Sequence, residues 1–343
     1  MTISRWLLVL IPVCASLFAS KGIVHYFQLE SYQFPGYFRT LARNKTHTWY
    51  PGILVTVGCV VLFYVFDILF LRGHVIGRTV LTQALFLLVA AAYGWLISRL
   101  LNERNAKKPL VFTGRIKRLY CMFIFVMLCI SLALAQSPLA VLPCLWPLVL
   151  PLVLALAGLL AWPIEKFISE LYFRDAKRRL LSNPRLIRIG ITGSYGKTSV
   201  KHILGTLLSE KYPTLITPLS YNTPMGVSRA IREKLTPTYQ VFVGEMGARH
   251  VGDIKELCRL VKPTIGILTS VGPQHLDTFR TVQRVVKTKY ELIEALPKDG
   301  HGYFFDDGGI CKGLYDQTEK PKSLASLTSG HGDCWCENIT VSP

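Results

Sequence analysis

Acidic residues are scarce in this chain: 21 Asp and Glu stand against 39 Lys and Arg, a formal charge of +18. Charge of either sign is thin, at 17% of residues. The shortage is uneven. Nearly all of the apolar excess lies before Ile164, and the remainder has the make-up of an ordinary soluble domain. A basic surplus of this size raises the question of nucleic-acid binding. Here, however, much of it flanks long apolar runs, where Lys and Arg set topology and meet anionic lipid. Nucleic acid is therefore not expected as a partner.

A paired cysteine framework is lacking too. Of nine Cys, Cys14, Cys59, Cys121, Cys129 and Cys144 fall inside apolar runs, where a free thiol behaves as a small apolar group. Cys258 falls in a helix-like stretch. Cys334-Trp335-Cys336 has no second pair nearby, so a zinc knuckle is not expected there.

What the first half does have is length of apolar sequence. Runs at 6–19, 53–71, 80–97, 119–135 and 139–162 read as about five membrane spans. The first is short and open to a second reading as a cleaved signal peptide, with Arg5 before it and Ala19-Ser20 at its end. The last holds Pro143, Pro147 and Pro151 and is closed by Pro163, and membrane helices tolerate proline better than soluble ones do. Basic residues crowd 21–52, 99–118 and the segment after Trp162, whereas the turns near 72–78 and 136–138 carry little charge. Five uncleaved helices with the N-terminus outside satisfy all of these. The expectation is a multi-helix membrane domain over 1–163, a basic amphipathic linker helix over 164–185, and an α/β domain over 186–343 on the cytoplasmic side.

The strongest local signal is Thr192-Gly193-Ser194-Tyr195-Gly196-Lys197-Thr198. An apolar run, Leu186 to Ile191, precedes it, and a helix-like stretch follows. Strand, glycine loop, Lys-Thr and helix make a phosphate cradle: loop amides and the helix N-terminus face anionic oxygens, Lys197 brings a mobile charge, and the Thr198 hydroxyl can hold Mg²⁺. Thr192 through Ser199 form the expected phosphate-binding set. The motif departs from the strict phosphate-loop pattern, since Ile191 stands where the first glycine would be.

Beyond it, strand and helix patterns alternate: strands at 186–192, 214–217, 241–245, 264–270 and 302–305, helices at 197–211, 227–235, 253–261 and 282–296. Such alternation predicts a mostly parallel sheet covered by helices. Ligands gather at the carboxyl ends of its strands. The phosphate loop, Glu245 and the stretch 272–275 all fall there. Glu245 is a candidate Mg²⁺ ligand, with a surface glutamate capping Met246-Gly247 as the plainer alternative. His275 is a second candidate ligand, set against an ordinary hydrogen-bonding loop histidine. Lys289 lies on the apolar stripe of Val282, Val285, Val286, Leu292, Ile293 and Leu296. Two readings stand for it: a buried, neutral and nucleophilic amine, or a snorkelling side chain at the stripe's edge. The segment 320–343 shows no clear pattern.

Together the T-G-S-Y-G-K-T loop, Asn222-Thr223-Pro224-Met225-Gly226, Glu245-Met246-Gly247-Ala248-Arg249, and His275-Leu276-Asp277 followed by Lys289 resemble the central ATP-binding domain of the Mur ligase superfamily. The nearest branch in pattern joins D-alanyl-D-alanine to UDP-N-acetylmuramoyl-tripeptide. The resemblance implies an ATP- and Mg²⁺-dependent amide ligase of peptidoglycan precursor synthesis, working through an acyl phosphate, in a bacterial cytoplasmic membrane. It implies ATP phosphates on Gly193–Gly196 and Lys197, one Mg²⁺ on Thr198 and Glu245, and a second on His275 and a carbamylated Lys289. Asn222 and Thr223 would border the carboxylate substrate. Expected partners are ATP, a cell-wall precursor carboxylate, an amino acid or dipeptide, and membrane lipid. The family's N-terminal substrate domain is replaced here by apolar helices, and its central domain is expected to continue past Pro343. The chain is thus expected to be a fragment, a truncated product, or one half of an enzyme completed by a second chain. Two alternatives remain: a ligase for another envelope polymer, such as a polyglutamate-type synthase, and an ATP-binding membrane scaffold without turnover.

Overall fold

Two hydrophobic patterns give two architectures. In the first half, apolar runs leave no polar face, and only helices satisfy their own backbone hydrogen bonds over such lengths. In the second, short apolar strands alternate with amphipathic helices. The computed structural model describes residues 3–66, 68, 80–101, 109–134, 142–218, 221–327 and 330–335. It divides into two units, Met1–Lys166 and Phe167–Pro343.

The first unit is helical. It comprises α1 (Ile3–Ala19), α2 (Lys21–Leu29), α3 (Phe34–Arg43), α4 (Lys45–Phe66), α5 (Val80–Leu101), α6 (Gly114–Leu134), a 3₁₀ turn at Leu142–Leu145, and the first part of α7 (Trp146–Leu181). Small residues allow close packing, as in membrane bundles: a Cβ added at Gly94 would sit 2.5 Å from the Ala15 carbonyl oxygen. Two polar side chains inside are paired across helices. Tyr37 donates from its hydroxyl to the Pro151 carbonyl (3.0 Å), and Trp146 Nε1 donates to Ser131 Oγ (2.7 Å).

Among the described residues two helical stretches, Gly114–Leu134 and Leu142–Leu181, are long and apolar enough to cross a membrane. A third arises if Val9–Ala19 and Lys21–Leu29, bent by 47°, count as one span. The runs 53–71 and 80–97 lie on α4 and α5, whose apolar cores are the shorter Thr48–Leu62 and Leu87–Arg99; 67 and 69–71 fall outside the described residues, as do 135 and 139–141 of the last two runs. Residues 21–52, read from sequence as a connecting segment, fold into α2, α3 and the start of α4. Their apolar side chains recur at helical spacing, and Ile23, Val24, Phe27, Tyr37 and Leu41 are buried. The linker at 164–185 is no separate helix. It continues the last run as α7, with Pro151 and Pro163 inside it, and ends at Leu181, two residues before Asn183-Pro184.

The second unit is a seven-stranded, wholly parallel sheet in the order β2-β3-β1-β4-β5-β6-β7. Its elements run β1 (Ile187–Thr192), α8 (Lys197–Ser209), β2 (Thr214–Ile216), α9 (Pro224–Lys234), β3 (Val241–Glu245), α10 (Asp253–Val261), β4 (Ile265–Leu268), α11 (Leu276–Phe279), α12 (Val282–Glu294), β5 (His301–Phe305), α13 (Ile310–Gln317), β6 (Lys322–Ser326) and β7 (Cys334–Trp335). Alternate strand residues face opposite layers. Ile189, Ile191, Val241 and Val243 pack under Val200, Leu204 and Leu208 of α8. Phe242, Leu268, Phe304 and Leu324 face the other side, with Leu257, Leu292 and Leu314 from α10, α12 and α13.

The parallel α/β expectation holds, with β1 central between β3 and β4. The segment without clear pattern, 320–343, contains β6 and β7. Lys-Ser-Leu-Ala-Ser carries no β-branched residue and a single large apolar one, so its strand character comes from pairing with β5 rather than from propensity.

Candidate functional site

The site is built where β1, β3 and β4 end. Register places Ile191 opposite Glu245 and Thr192 opposite Leu268, so the glycine loop leaves the sheet beside both neighbouring strand ends. Gly193 takes φ +152°, and a Cβ there would overlap the Thr269 hydroxyl. Gly196, at φ +78°, caps α8 in the left-handed region. Only glycine meets both demands cheaply.

The residues after β4 clasp the loop. The Ser194 amide donates to the Ser270 carbonyl (2.6 Å), Thr269 Oγ1 donates to the Tyr195 carbonyl (2.6 Å), and the Tyr195 hydroxyl donates to the Pro273 carbonyl (3.2 Å). Lys197 folds back over the loop, donating to the carbonyls of Gly193 (2.7 Å) and Ser194 (3.2 Å). Burial pulls its ammonium below the ordinary lysine range, and the Glu245 carboxylate pulls the other way. The arrangement presents a helix N-terminus and a lysine, the standard means of holding a phosphate. Ser199 follows Thr198 on the first turn of α8 and is exposed.

Glu245 is the hub. Its side chain is buried, and one carboxylate oxygen accepts from Thr198 Oγ1 and from Lys201 Nζ, each at 3.0 Å. The other accepts from Asn222 Nδ2 at 3.1 Å. Burial pushes its carboxyl up, but the bonds from Lys201, Asn222 and Thr198 outweigh that and hold it below the usual carboxylate range. The backbone fixes the hub in turn: Glu245 N donates to Thr217 Oγ1 (3.1 Å), and Gly247 N donates to the Asn222 carbonyl (2.8 Å). Thr223 instead caps α9, accepting from Gly226 N at 3.3 Å.

The structure therefore brings Thr198, Glu245 and Asn222 into direct contact. A hydroxyl and an ionised carboxylate side by side are hard oxygen donors of the kind Mg²⁺ takes, and the pair fits the role assigned to it. His275 and Lys289 join less directly. His275 is exposed at the start of α11 with φ +53°. Burial and the charge of Arg249, then those of Lys289 and Lys197, hold its imidazole below the ordinary range, against the pull of Asp277. Lys289 is 1% exposed. Burial, with Lys197 adding repulsion and Asp253 opposing, pushes its ammonium down to about 8. The side chain is thus buried rather than snorkelling at the stripe's edge. Among the described residues no three His, Cys, Asp or Glu side chains are grouped to hold a metal.

Lys201 escaped the sequence reading, as did Thr269 and Ser270. Its one signal was position: three residues after Thr198, on the same face of α8.

A glycine loop between a central parallel strand and a helix, with a strand-end carboxylate against the loop's Thr, defines a phosphate-loop α/β domain. Residues 191–342, within the second unit, match the Mur ligase middle domain. Over 151 residues the chain is 36% identical to the UDP-N-acetylmuramoyl-tripeptide–D-alanyl-D-alanine ligase of Escherichia coli (strain K12), a match covering 42% of this chain and 33% of that protein. A protein of the same name from Treponema pallidum is 32% identical over 124 residues, 36% of this chain and 27% of its own length. A crystal structure of MurF ligase from Thermotoga maritima in complex with ADP aligns over 48% of this chain and 38% of that one, with 30% identity and a TM-score of 0.44. The chain thus spans about a quarter to a third of the length of these curated relatives.

Proposed function

We propose that this chain is the nucleotide-handling part of an ATP-dependent amide ligase that adds D-alanyl-D-alanine to a muramoyl-tripeptide carboxylate. The observation that carries the reading is the Thr198–Glu245 contact at the mouth of the phosphate loop, within a Mur ligase middle domain. Lys197 and the amides of Gly193–Gly196 hold the phosphates of ATP. Thr198 and Glu245 would hold one Mg²⁺, and His275 and a carbamylated Lys289 a second; when bound, the metal would supply charge neutralisation. The substrate carboxylate, guided past Asn222, attacks the γ-phosphorus, ADP leaves, and an acyl phosphate forms. The amine of the dipeptide then attacks the acyl carbon, an amide bond replaces the C–O bond, and inorganic phosphate departs with the amine proton lost to water. Chemistry between anions of this kind depends chiefly on positioning.

The first unit is read as a membrane anchor in a bacterial cytoplasmic membrane, with the phosphate-loop domain on the cytoplasmic side. The two long apolar helical stretches and the basic residues flanking them support this.

The test is a product assay on the membrane-derived protein with ATP, Mg²⁺, UDP-N-acetylmuramoyl-tripeptide and D-alanyl-D-alanine. The reading expects ADP, phosphate and the pentapeptide product in equal amounts. Release of ADP that is indifferent to both acceptors would overturn it.

A further inference from the structure

At one end of α6 and of the apolar part of α7, two arginines share one carboxylate. Glu165 accepts from Nε and Nη2 of Arg118 at 2.5 and 2.9 Å, and Arg115 Nε lies 3.8 Å from it. The Glu165 side chain is only 12% exposed, while Arg115 and Arg118 remain 40% and 41% exposed. The guanidinium of Arg115 also rests on the Tyr32 ring, 3.9 Å from its centre. Among the described residues the cluster sets two arginines against one carboxylate, and Lys117 and Lys166 adjoin it in sequence. Glu165 is turned inward, where it orients the arginines instead of repelling an anion.

Below this cluster a cavity of about 370 Å³ opens between the two helices. Arg118 and Glu165 form its polar end; Cys121, Met122, Phe125, Ala161 and Ile164 form its walls. The helices concerned are the two stretches that, among the described residues, are long and apolar enough to cross a membrane, and Arg115 and Arg118 lie in the first two turns of α6. The cavity therefore has a polar mouth, the Arg118–Glu165 pair, with Arg115 beside that pair but outside the lining, and a hydrocarbon-like trough below it.

We infer that this cavity is a binding site for an anionic phospholipid, its phosphate at the mouth on Arg118 and on Arg115 just outside the lining, and one hydrocarbon chain along the trough. Planar guanidiniums suit phosphate oxygens, which offer more acceptors than a single carboxylate does. Basic pockets between membrane helices are a recurrent form of headgroup recognition. A water-soluble phosphate would leave the trough unused, so the site commits to a lipid. This rests on reading the first unit as a membrane domain.

The experiment uses the full chain in nanodiscs of phosphatidylcholine containing a minor share of phosphatidylglycerol, with retained lipids counted by native mass spectrometry after detergent release. Wild type should retain phosphatidylglycerol with a preference on the order of ten-fold, as two interfacial arginines would give. The triple variant R115Q/R118Q/E165Q, which leaves no lone charge behind, should lose the preference. Ala161→Leu, which narrows the trough and keeps both arginines, should weaken it. Equal retention by wild type and the triple variant would overturn the inference, as would full competition by inorganic phosphate. Alkaline carbonate extraction of native membranes separates the two readings: a chain released by it sinks the membrane reading and this site together, whereas a chain that stays but shows no lipid preference sinks this site alone.

Discussion

Lys201 Nζ lies 3.0 Å from Glu245 Oε2, with the two side chains 0% and 2% exposed. The same oxygen accepts the Thr198 hydroxyl, so one carboxylate ties the first turns of α8 to the end of β3. Through Asn222 it also ties in the loop before α9. A buried pair is costly to form and costlier to break. Lys201→Met should therefore destabilise the domain by about 3–5 kcal/mol, read as a lower urea midpoint, with Lys201→Arg recovering part of the loss. An unchanged midpoint in Lys201→Met would show that Glu245 is not held as described.

The pair also sets an acid limit. The Glu245 carboxyl titrates below its ordinary 4.5 in the folded protein, so the unfolded chain takes up the proton first. Its contribution is complete above the unfolded value and drains away as pH falls through the folded one. Urea unfolding from neutral pH downward should show the stability gap between wild type and Glu245→Gln closing below 4.5. A gap that does not change with pH would contradict the assigned protonation.

Much of this was legible in sequence, and particular residues show why. β1, the glycine loop and α8 are local: a β-rich run, two glycines with fixed steric duties and a helix start, all within a short segment. Glu245 was legible because a strand pattern ends on it. Lys201 was not, because a lysine on an amphipathic helix reads as solvent-facing until β3 is placed behind it. Lys289 was legible only as a conflict, a charge on an apolar stripe, which the packing of Val285 and Leu292 resolves as burial. The strand at Lys322–Ser326 was hidden because its propensity is poor and its partner, β5, supplies the ladder.

Burial gives Lys289 an unusual reactivity. Its ammonium titrates near about 8, against 10.5 for an ordinary lysine. Labelling with an amine-selective acylating reagent across pH, followed by peptide mass spectrometry, should give Lys289 a midpoint near 8 once access is normalised. Because the unfolded chain keeps this proton longer, stability should rise from pH 8 towards 10.5, and Lys289→Met should remove that rise. A midpoint at the ordinary lysine value would contradict the burial argument.

Lys197 tests the phosphate loop itself. It sits on the Gly193 and Ser194 carbonyls, poised over the loop rather than packed in the core. Lys197→Ala removes two loop hydrogen bonds of a half-buried side chain and should lower the thermal midpoint by only a few degrees, for a cost of about 1 kcal/mol, while nucleotide affinity measured by calorimetry falls at least about ten-fold, as loss of a charge-assisted phosphate contact implies. Unchanged affinity would remove the loop from the nucleotide site.

The most direct measurement follows an oxygen atom. If the carboxylate attacks ATP, one of its oxygens must leave in the inorganic phosphate when the amine displaces it. Muramoyl-tripeptide carrying ¹⁸O in its reacting carboxylate, turned over with ATP and D-alanyl-D-alanine, should yield phosphate bearing one ¹⁸O per amide formed. Phosphate that is unlabelled from this substrate, and takes its new oxygen from ¹⁸O water instead, would mean hydrolysis of ATP and would contradict the ligase account.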